Sequence, residues 1–304
     1  VRPECTSIYI ALLLGFMCAG VGGELFVRDR VGLGHWLRIA PGIVAATFAA
    51  FATSSPELTV SINTTLADRP QIALGDAQGS NFLNLALILA VVLVISGTQC
   101  PRGSVKRDFA TALLVPVITG VLLLDGELSR VEGLLLLGAF FVWLVEGVIE
   151  ARRQRSAVEQ VLGEPRKGLI VWSCISGLLL LVAAGHFIVP GASGIAVAYG
   201  IDAFIVGATI VAVGTSVPEL ATAVIAKLRG HEEIGLGTIL GGNIFNGLFI
   251  VPVAAVIRPI VIAPSEVVSA LVCGLVSVAL VYPARTGFIE RRRVFCCGCF
   301  MPPP

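Results

Sequence analysis

The sequence predicts an all-α, polytopic membrane protein made of two inverted-topology repeats of five helices each, with the tenth helix missing or truncated. Three observations carry this prediction. The 304 residues are 56% hydrophobic and only 13% charged, where a soluble domain carries about 25% charged residues. One polar, proline-broken motif occurs twice inside apolar runs, as Thr53-Ser54-Ser55-Pro56-Glu57 and Thr215-Ser216-Val217-Pro218-Glu219. The two copies and several residues around them keep one spacing, 162, the distance from Glu57 to Glu219.

A bilayer core needs about 20 apolar residues per helix. Spans are predicted over 7–26, 36–66, 71–96, 109–124 and 131–149, then over 169–189, 200–228, 233–256 and 261–281. The first run has signal-peptide length, but its counterpart in the second half marks it as a retained helix. Lys and Arg placement gives orientation. With the N-terminus outside, the inside loops hold Arg28, Arg30, Arg102, Lys106, Arg107, the basic cluster of the linker, Lys227, Arg229, Arg285 and Arg291 to Arg293. Outside lie only Arg2, Arg69, Arg130 and Arg258, with Arg38 near a helix start. Five crossings in the first half then make the halves antiparallel. The charged stretch 151–167 joins a first repeat over 1–150 to a second over 168–304.

The register of the duplication has no gap: Pro56 and Pro218, Asn81 and Asn243, Asn84 and Asn246, and Gly23 and Gly185 all sit 162 apart. The net charge of +1 is uninformative about nucleic acid, no basic block is dense enough to suggest it, and no nucleic-acid partner is expected. The cysteines are scattered and read as small apolar residues rather than a disulfide framework. Cys296, Cys297 and Cys299 are too crowded, and lack a fourth ligand, for zinc.

The doubled motif suits a cation. A carboxylate inside hydrocarbon is costly and marks an ion or proton path, and a pair in matching halves points to a symmetric site at mid-membrane. Pro56 frees the carbonyl of Ala52, and Pro218 that of Gly214, because proline has no N–H to give them. Thr53 and Glu57 are four apart and share a helix face, with Ser54 beside them; Thr215, Ser216 and Glu219 repeat this. Hydroxyls, carboxylate and loosened carbonyls together offer the oxygens a hard cation takes. In the next helix of each half, Gly79-Ser80-Asn81-Phe82-Leu83-Asn84 and Gly241-Gly242-Asn243-Ile244-Phe245-Asn246 form a second polar stripe. That stripe alone fits either the site or close helix packing by glycines with interhelical asparagine hydrogen bonds.

Taken together these motifs resemble the sodium/calcium exchanger (cation/Ca²⁺ exchanger) superfamily in its prokaryotic two-repeat form, over nearly the whole chain. The resemblance implies inverted repeats, central cation sites and alternating access, with Ca²⁺ and Na⁺ as transported ligands, no cofactor and no enzyme activity. Carried over by motif, the ligands are Thr53, Ser54, Glu57, Ser80 and Asn84 in the first half. In the second they are Thr215, Ser216, Glu219 and Asn246, and the backbone carbonyls of Ala50 and Ala212 complete the set. The implied molecule is a monomer in the lipid bilayer of the cell inner membrane.

Four departures from the family pattern stand out. Ala52 replaces the glycine favoured before the first motif. Both Asn84 and Asn246 are amides where one repeat commonly carries aspartate, so the driving ion, Na⁺ or H⁺, stays open. Gly242 lacks the hydroxyl of Ser80. Asp76 stands where asparagine is usual, and is read here as a helix-start cap, with replacement of the lost charge as the alternative. After Glu290 the chain turns to Arg291-Arg292-Arg293 and a cysteine-rich end, where the counterpart of Ser129-Arg130-Val131-Glu132-Gly133, aligned with Gly287 to Arg291, should lead into a tenth helix. A truncation or frame change is the expected cause, and an inactive truncated exchanger is one alternative.

Among the weaker polar residues, Glu146 is expected at the interface, Asp202 as a cap, and His35, His186 and His231 in loops or helix ends. An intramembrane enzyme lacks support: there is no His-Glu-x-x-His motif, and no second aspartate completes a dyad with Asp76. A channel would use polar rings, but a symmetric glutamate site at helix breaks fits alternating access better. The sequence therefore predicts a secondary active antiporter exchanging Na⁺ for Ca²⁺ at one site built on Glu57 and Glu219. H⁺-coupled exchange is the alternative, since a buried carboxylate can trade a proton for a metal.

Overall fold

The computed structural model describes residues 50–100, 105–158 and 203–262 as continuous segments, with scattered positions between 14 and 25, 172 and 183, and 268 and 289. In the first half, α1 (Ala50–Thr53) and α2 (Ser55–Leu66) flank a break at Ser54. Helix α3 (Pro70–Leu83) passes through a π-helical turn (Asn84–Ile88) into α4 (Leu89–Ile95). Strand β1 (Thr98–Gln99), a π-helical turn (Val105–Phe109), α5 (Ala110–Leu122), β2 (Glu127–Leu128) and α6 (Arg130–Val158) follow. In the second half, α7 (Ala203–Val206), a π-helical turn (Gly207–Val211) and α8 (Ala212–Thr215) lead to a break at Ser216 and α9 (Val217–Leu228). Helix α10 (Glu232–Phe245), a π-helical turn (Asn246–Ile250), α11 (Val251–Ile257), β3 (Ile260–Val261) and β4 (Phe288–Ile289) complete the described elements.

The duplication read from sequence recurs in every boundary of its central part. From α1 to β1, each element begins and ends 162 residues before its counterpart from α8 to β3. Pro56 and Pro218 lie in the first turn of the second helix of each broken pair, where a missing N–H costs nothing. The junction residues share one backbone conformation, Ser54 at φ −84°, ψ 14° and Ser216 at φ −79°, ψ 2°. In the second half the two arms, Gly207–Thr215 and Val217–Leu228, bend by 48°.

Hydrogen bonds between the halves show that these repeats run in opposite directions. At one end, Gln71 near the start of α3 donates to the carbonyl of Val261 beyond α11, at 3.0 Å. At the other, Lys227, which precedes α10, donates to the carbonyl of Gly97 beyond α4, at 2.7 Å. The start of one span therefore meets the end of the other. Two short antiparallel sheets close the ends: β1 pairs with β4 (Thr98 opposite Ile289), and β2 pairs with β3 (Leu128 opposite Ile260). Each sheet takes one strand from each half. The Asp68–Arg258 ion pair lies at the β2–β3 end.

Two sequence-based expectations are corrected here. The ninth span does not begin at Val261, because Ile260 and Val261 form β3 and bond to β2. The strand pairing also makes Phe288–Ile289 the equivalent of Glu127–Leu128, so Gly287 is not the counterpart of Ser129. A two-residue strand has no periodicity to reveal either point.

Among the described residues, Pro70–Ile95, Arg130–Glu150 and Gly235–Ile257 are each long and apolar enough to cross a membrane, and the bent pair around Ser216 forms a fourth candidate. Helix α6 packs on α11 through Gly133, which faces the carbonyl of Pro252. Phe140, Phe245 and Phe249 stack at 4.8–5.5 Å between ring centroids beneath it. Its other face exposes Leu134, Leu135, Phe141, Val142 and Val145, an apolar surface suited to lipid rather than water. At one end of the bundle Asp108 accepts from Arg107 Nε at 2.7 Å and Trp143 Nε1 at 3.4 Å. Cys18 and Cys100 are free thiols. Most of the first, sixth and ninth predicted spans, the linker after Val158, Asp202, His35, His186 and the tail after Ile289 lie outside the described residues.

Candidate cation-binding site

All eleven residues carried over by motif are buried. Ala50, Thr53, Ser54, Glu57, Ser80, Asn84, Ala212, Thr215, Ser216, Glu219 and Asn246 are each at most 4% exposed. The helix breaks place them. Ser54 and Ser216 stand at N-cap positions, yet neither hydroxyl caps its helix. Ser54 Oγ instead donates across the halves to Glu219 Oε1 at 3.2 Å, and Ser216 Oγ has no hydrogen-bond partner. The carbonyls of Ala50 and Ala212 are both engaged. Ala50 O accepts from Ser54 N at 2.9 Å and Thr53 Oγ1 at 3.3 Å, and Ala212 O accepts from Ser216 N at 3.0 Å with Thr215 Oγ1 3.3 Å away.

Helices α3 and α10 supply the second layer through four asparagines in a reciprocal network. Asn81 Nδ2 donates to Asn243 O at 3.3 Å, and Asn243 Nδ2 to Asn81 O at 3.1 Å. Asn84 Nδ2 donates to Asn243 Oδ1 at 2.9 Å, and Asn246 Nδ2 to Asn81 Oδ1 at 3.1 Å. The orientation of every amide follows from the two backbone carbonyls, which can only accept. Asn81 and Asn243 must donate to them, so their Oδ1 atoms accept from Asn84 and Asn246. The Oδ1 atoms of Asn84 and Asn246 are then left without partners, although buried. Both of these asparagines open a π-helical turn, a local widening frequent at functional sites. Asn81 and Asn243 were visible in the sequence as repeat partners, but their role in orienting the amides was not.

Asp76 is not a helix-start cap. The N-cap of α3 is Arg69, and Asp76 lies seven residues into the helix, fully buried. Thr215 Oγ1 donates to Asp76 Oδ1 at 2.9 Å, and Ser80 Oγ lies 3.3 Å from the same hydroxyl. Backbone contact makes this possible. A Cβ at Gly75 would stand 2.3 Å from the carbonyl oxygen of Phe204, and one at Gly79 2.2 Å from that of Ala208. Only glycine lets α3 press this closely on the helix leading to Thr215. The sequence held a usable signal, since Asp76, Ser80 and Asn84 recur every four residues on one helix face.

Glu57 interacts electrostatically with both Glu219 and Asp76. Buried carboxylates need compensation, yet Glu57 Oε2 and Asp76 Oδ2 have no hydrogen-bond partner. Among the described residues no three His, Cys, Asp or Glu side chains converge closely enough to hold a metal by themselves. A cation here would draw on hydroxyl, amide and carbonyl oxygens besides the carboxylates, the mixed oxygen set that suits hard cations.

The family model for the sodium/calcium exchanger protein matches residues 7–146 and 169–295. The putative antiporter CaxA of Alkalimonas amylolytica is 33% identical over 83% of this chain and 82% of its own length. Inner membrane protein YrbG of Escherichia coli K12 is 34% identical over 82% of this chain and 79% of its own. The sodium/calcium exchanger MaX1 of Methanosarcina acetivorans is 26% identical, covering 85% of both. Among solved structures, the sodium-calcium exchanger NCX_Mj soaked with Na⁺ and Sr²⁺ matches with a TM-score of 0.79 over 97% of this chain and 96% of that one. At 24% identity it shows the fold alone. By its matched residues and its relatives, the chain belongs to the sodium/calcium exchanger family of membrane-embedded transporters.

Proposed function

We propose that this protein is a secondary active antiporter that moves Ca²⁺ against an inward flow of Na⁺, acting as a monomer in the cell inner membrane. One observation carries the reading: two repeat-related carboxylates, Glu57 and Glu219, lie buried together at facing helix breaks and are linked across the halves through Ser54. Glu57 and Glu219 are the charged ligands for which the two ions compete. Thr53, Ser54, Thr215 and Ser216 supply hydroxyl oxygens, and Asn84 and Asn246 turn amide oxygens toward the ion. The carbonyls of Ala50 and Ala212 complete the set. Competition at one site couples the fluxes, because a carrier holding both ions together would cotransport them. The names of MaX1 and NCX_Mj, both sodium/calcium exchangers, support Na⁺ as the counter-ion.

The test is ⁴⁵Ca²⁺ uptake into proteoliposomes under a Na⁺ gradient and, separately, under a pH gradient, with Glu57→Gln and Glu219→Gln as controls. Uptake driven by Na⁺ and lost in both variants is expected. Uptake driven by the pH gradient alone would replace Na⁺ with H⁺ as the coupling ion.

A further inference from the structure

Away from the cation site, at the β2–β3 end of the bundle, an open cavity of about 440 Å³ is lined by Thr65, Leu66, Asp68, Arg130, Ile257 and Arg258, among others. It forms where the end of α2, the start of α6 and the end of α11 meet. Arg130 opens one apolar span and Ile257 closes another, so the cavity lies at the level of a membrane boundary. Asp68 takes a left-handed conformation, φ 62°, which aspartate tolerates better than most side chains, and it pairs with Arg258. Arg130 Nη2 donates to the carbonyl of Ile257 at 3.3 Å. A guanidinium carries five N–H donors, so neither contact exhausts its arginine. Thr65 is 1% exposed, and its hydroxyl has no hydrogen-bond partner. The lining therefore sets two cations against one anion. Beside it the surface is apolar: Leu66 and Val131 are each 67% exposed, and Leu134 and Leu135 follow on α6 at 58% and 66%. Positions 131, 134, 135 and 138 share one side of a helix, and nothing lies within 4 Å of where a side chain at Gly138 would begin. An apolar furrow thus starts at Arg130 and runs along α6.

We infer that this cavity holds the phosphodiester headgroup of a singly anionic phospholipid, with its acyl chains laid along α6. The phosphate accepts from Arg130 and Arg258, whose planar donors suit oxyanions. One negative charge balances the excess positive charge of the lining, whereas a zwitterionic headgroup leaves it uncompensated. The chains cover Val131, Leu134 and Leu135; a free phosphate would satisfy the arginines but leave that stripe bare. Arg130 belongs to the first repeat and Arg258 to the second, so the bound headgroup ties the two halves together. The site does not depend on which ions are exchanged.

The experiment measures binding of a fluorescent phosphatidylglycerol to the purified, delipidated full-length protein in a neutral detergent, at one pH and one salt concentration. Saturable binding is expected, displaced by unlabelled phosphatidylglycerol but not by equal concentrations of phosphatidylcholine, glycerophosphate or inorganic phosphate. Arg130→Gln and Arg258→Gln are each expected to need at least about tenfold more lipid for half-saturation, as loss of a hydrogen bond between charged groups implies. Arg69→Gln, which removes an exposed cation of the same end that does not line the cavity, should keep the wild-type affinity. Val131→Glu puts a carboxylate beside Arg130 at an exposed position; it should weaken binding as the arginine variants do, and guards against their misfolding. Binding that is unchanged in all three variants, weakened equally by Arg69→Gln, or displaced equally by phosphatidylcholine would overturn the site. Displacement by inorganic phosphate or glycerophosphate at equal concentration would make a free anion the occupant and overturn the lipid.

Discussion

Ser54 Oγ donates to Glu219 Oε1 at 3.2 Å, but the repeat-related contact from Ser216 to Glu57 is not made, and Ser216 Oγ and Glu57 Oε2 are buried without a hydrogen-bond partner. Two halves with matching element boundaries thus hold their serines differently. Inverted repeats allow each half to adopt the other's arrangement, so a switch of access would trade one serine–glutamate contact for the other. A hydrogen bond to a charged group contributes about 1.5–3 kcal/mol, enough to bias such a balance. Ser54→Ala and Ser216→Ala are expected to shift it in opposite directions. The readout is the ratio of half-saturating Ca²⁺ concentrations measured from the two faces of oriented proteoliposomes.

The asparagine network gives a second expectation. Removing the side-chain amide of Asn243 strips Asn84 of its acceptor and leaves buried groups unpaired, at about 1–3 kcal/mol. Asn243→Leu is expected to lower the thermal midpoint and also weaken Ca²⁺ affinity, because Asn84 is then free to rotate its amide. Asn81→Leu should do the same through Asn246. A loss of stability with unchanged affinity would limit these residues to packing.

Close approach of α3 to the second half is testable at single glycines. Gly79→Ala drives a methyl group onto the carbonyl of Ala208 and should cost about 1–3 kcal/mol, because backbone on both sides must shift. Gly138→Ala in α6 meets nothing within 4 Å and should be neutral or stabilising by up to about 1 kcal/mol. Thermal unfolding of the two variants side by side provides the comparison.

Cys100 lies beyond α4, 6% exposed, and its thiol is pushed up to about 12 by burial and by the Asp108 carboxylate. The reactive form is the thiolate. Cys100 is therefore expected to resist maleimide at pH 8 in the folded protein and to label fully after denaturation, as read by peptide mass spectrometry.

Much of the fold was legible because its signals are local or periodic. The prolines at 56 and 218 placed the helix breaks, and the spacing of 162 set the register that the helices follow. Long-range relationships were harder. Asp76 looked like a helix-start cap, but α3 starts six residues earlier at Pro70 with Arg69 as its N-cap, and the approach of Phe204 and Ala208 to Gly75 and Gly79 brings Asp76 to Thr215. The donors and acceptors of Asn81 and Asn243 depend on carbonyls 162 residues away. Lys227 read as a loop charge, whereas its ammonium is tucked against Gly97 and Thr98, a contact no sequence window contains.

Competition at a single site is the central claim, and equilibrium ⁴⁵Ca²⁺ binding to the purified protein under increasing Na⁺ tests it most directly. Na⁺ should displace bound Ca²⁺ completely, raising its apparent dissociation constant without lowering the number of sites, and Glu57→Gln and Glu219→Gln should bind no Ca²⁺. Ca²⁺ binding indifferent to Na⁺, or retained when either glutamate is neutralised, would contradict it.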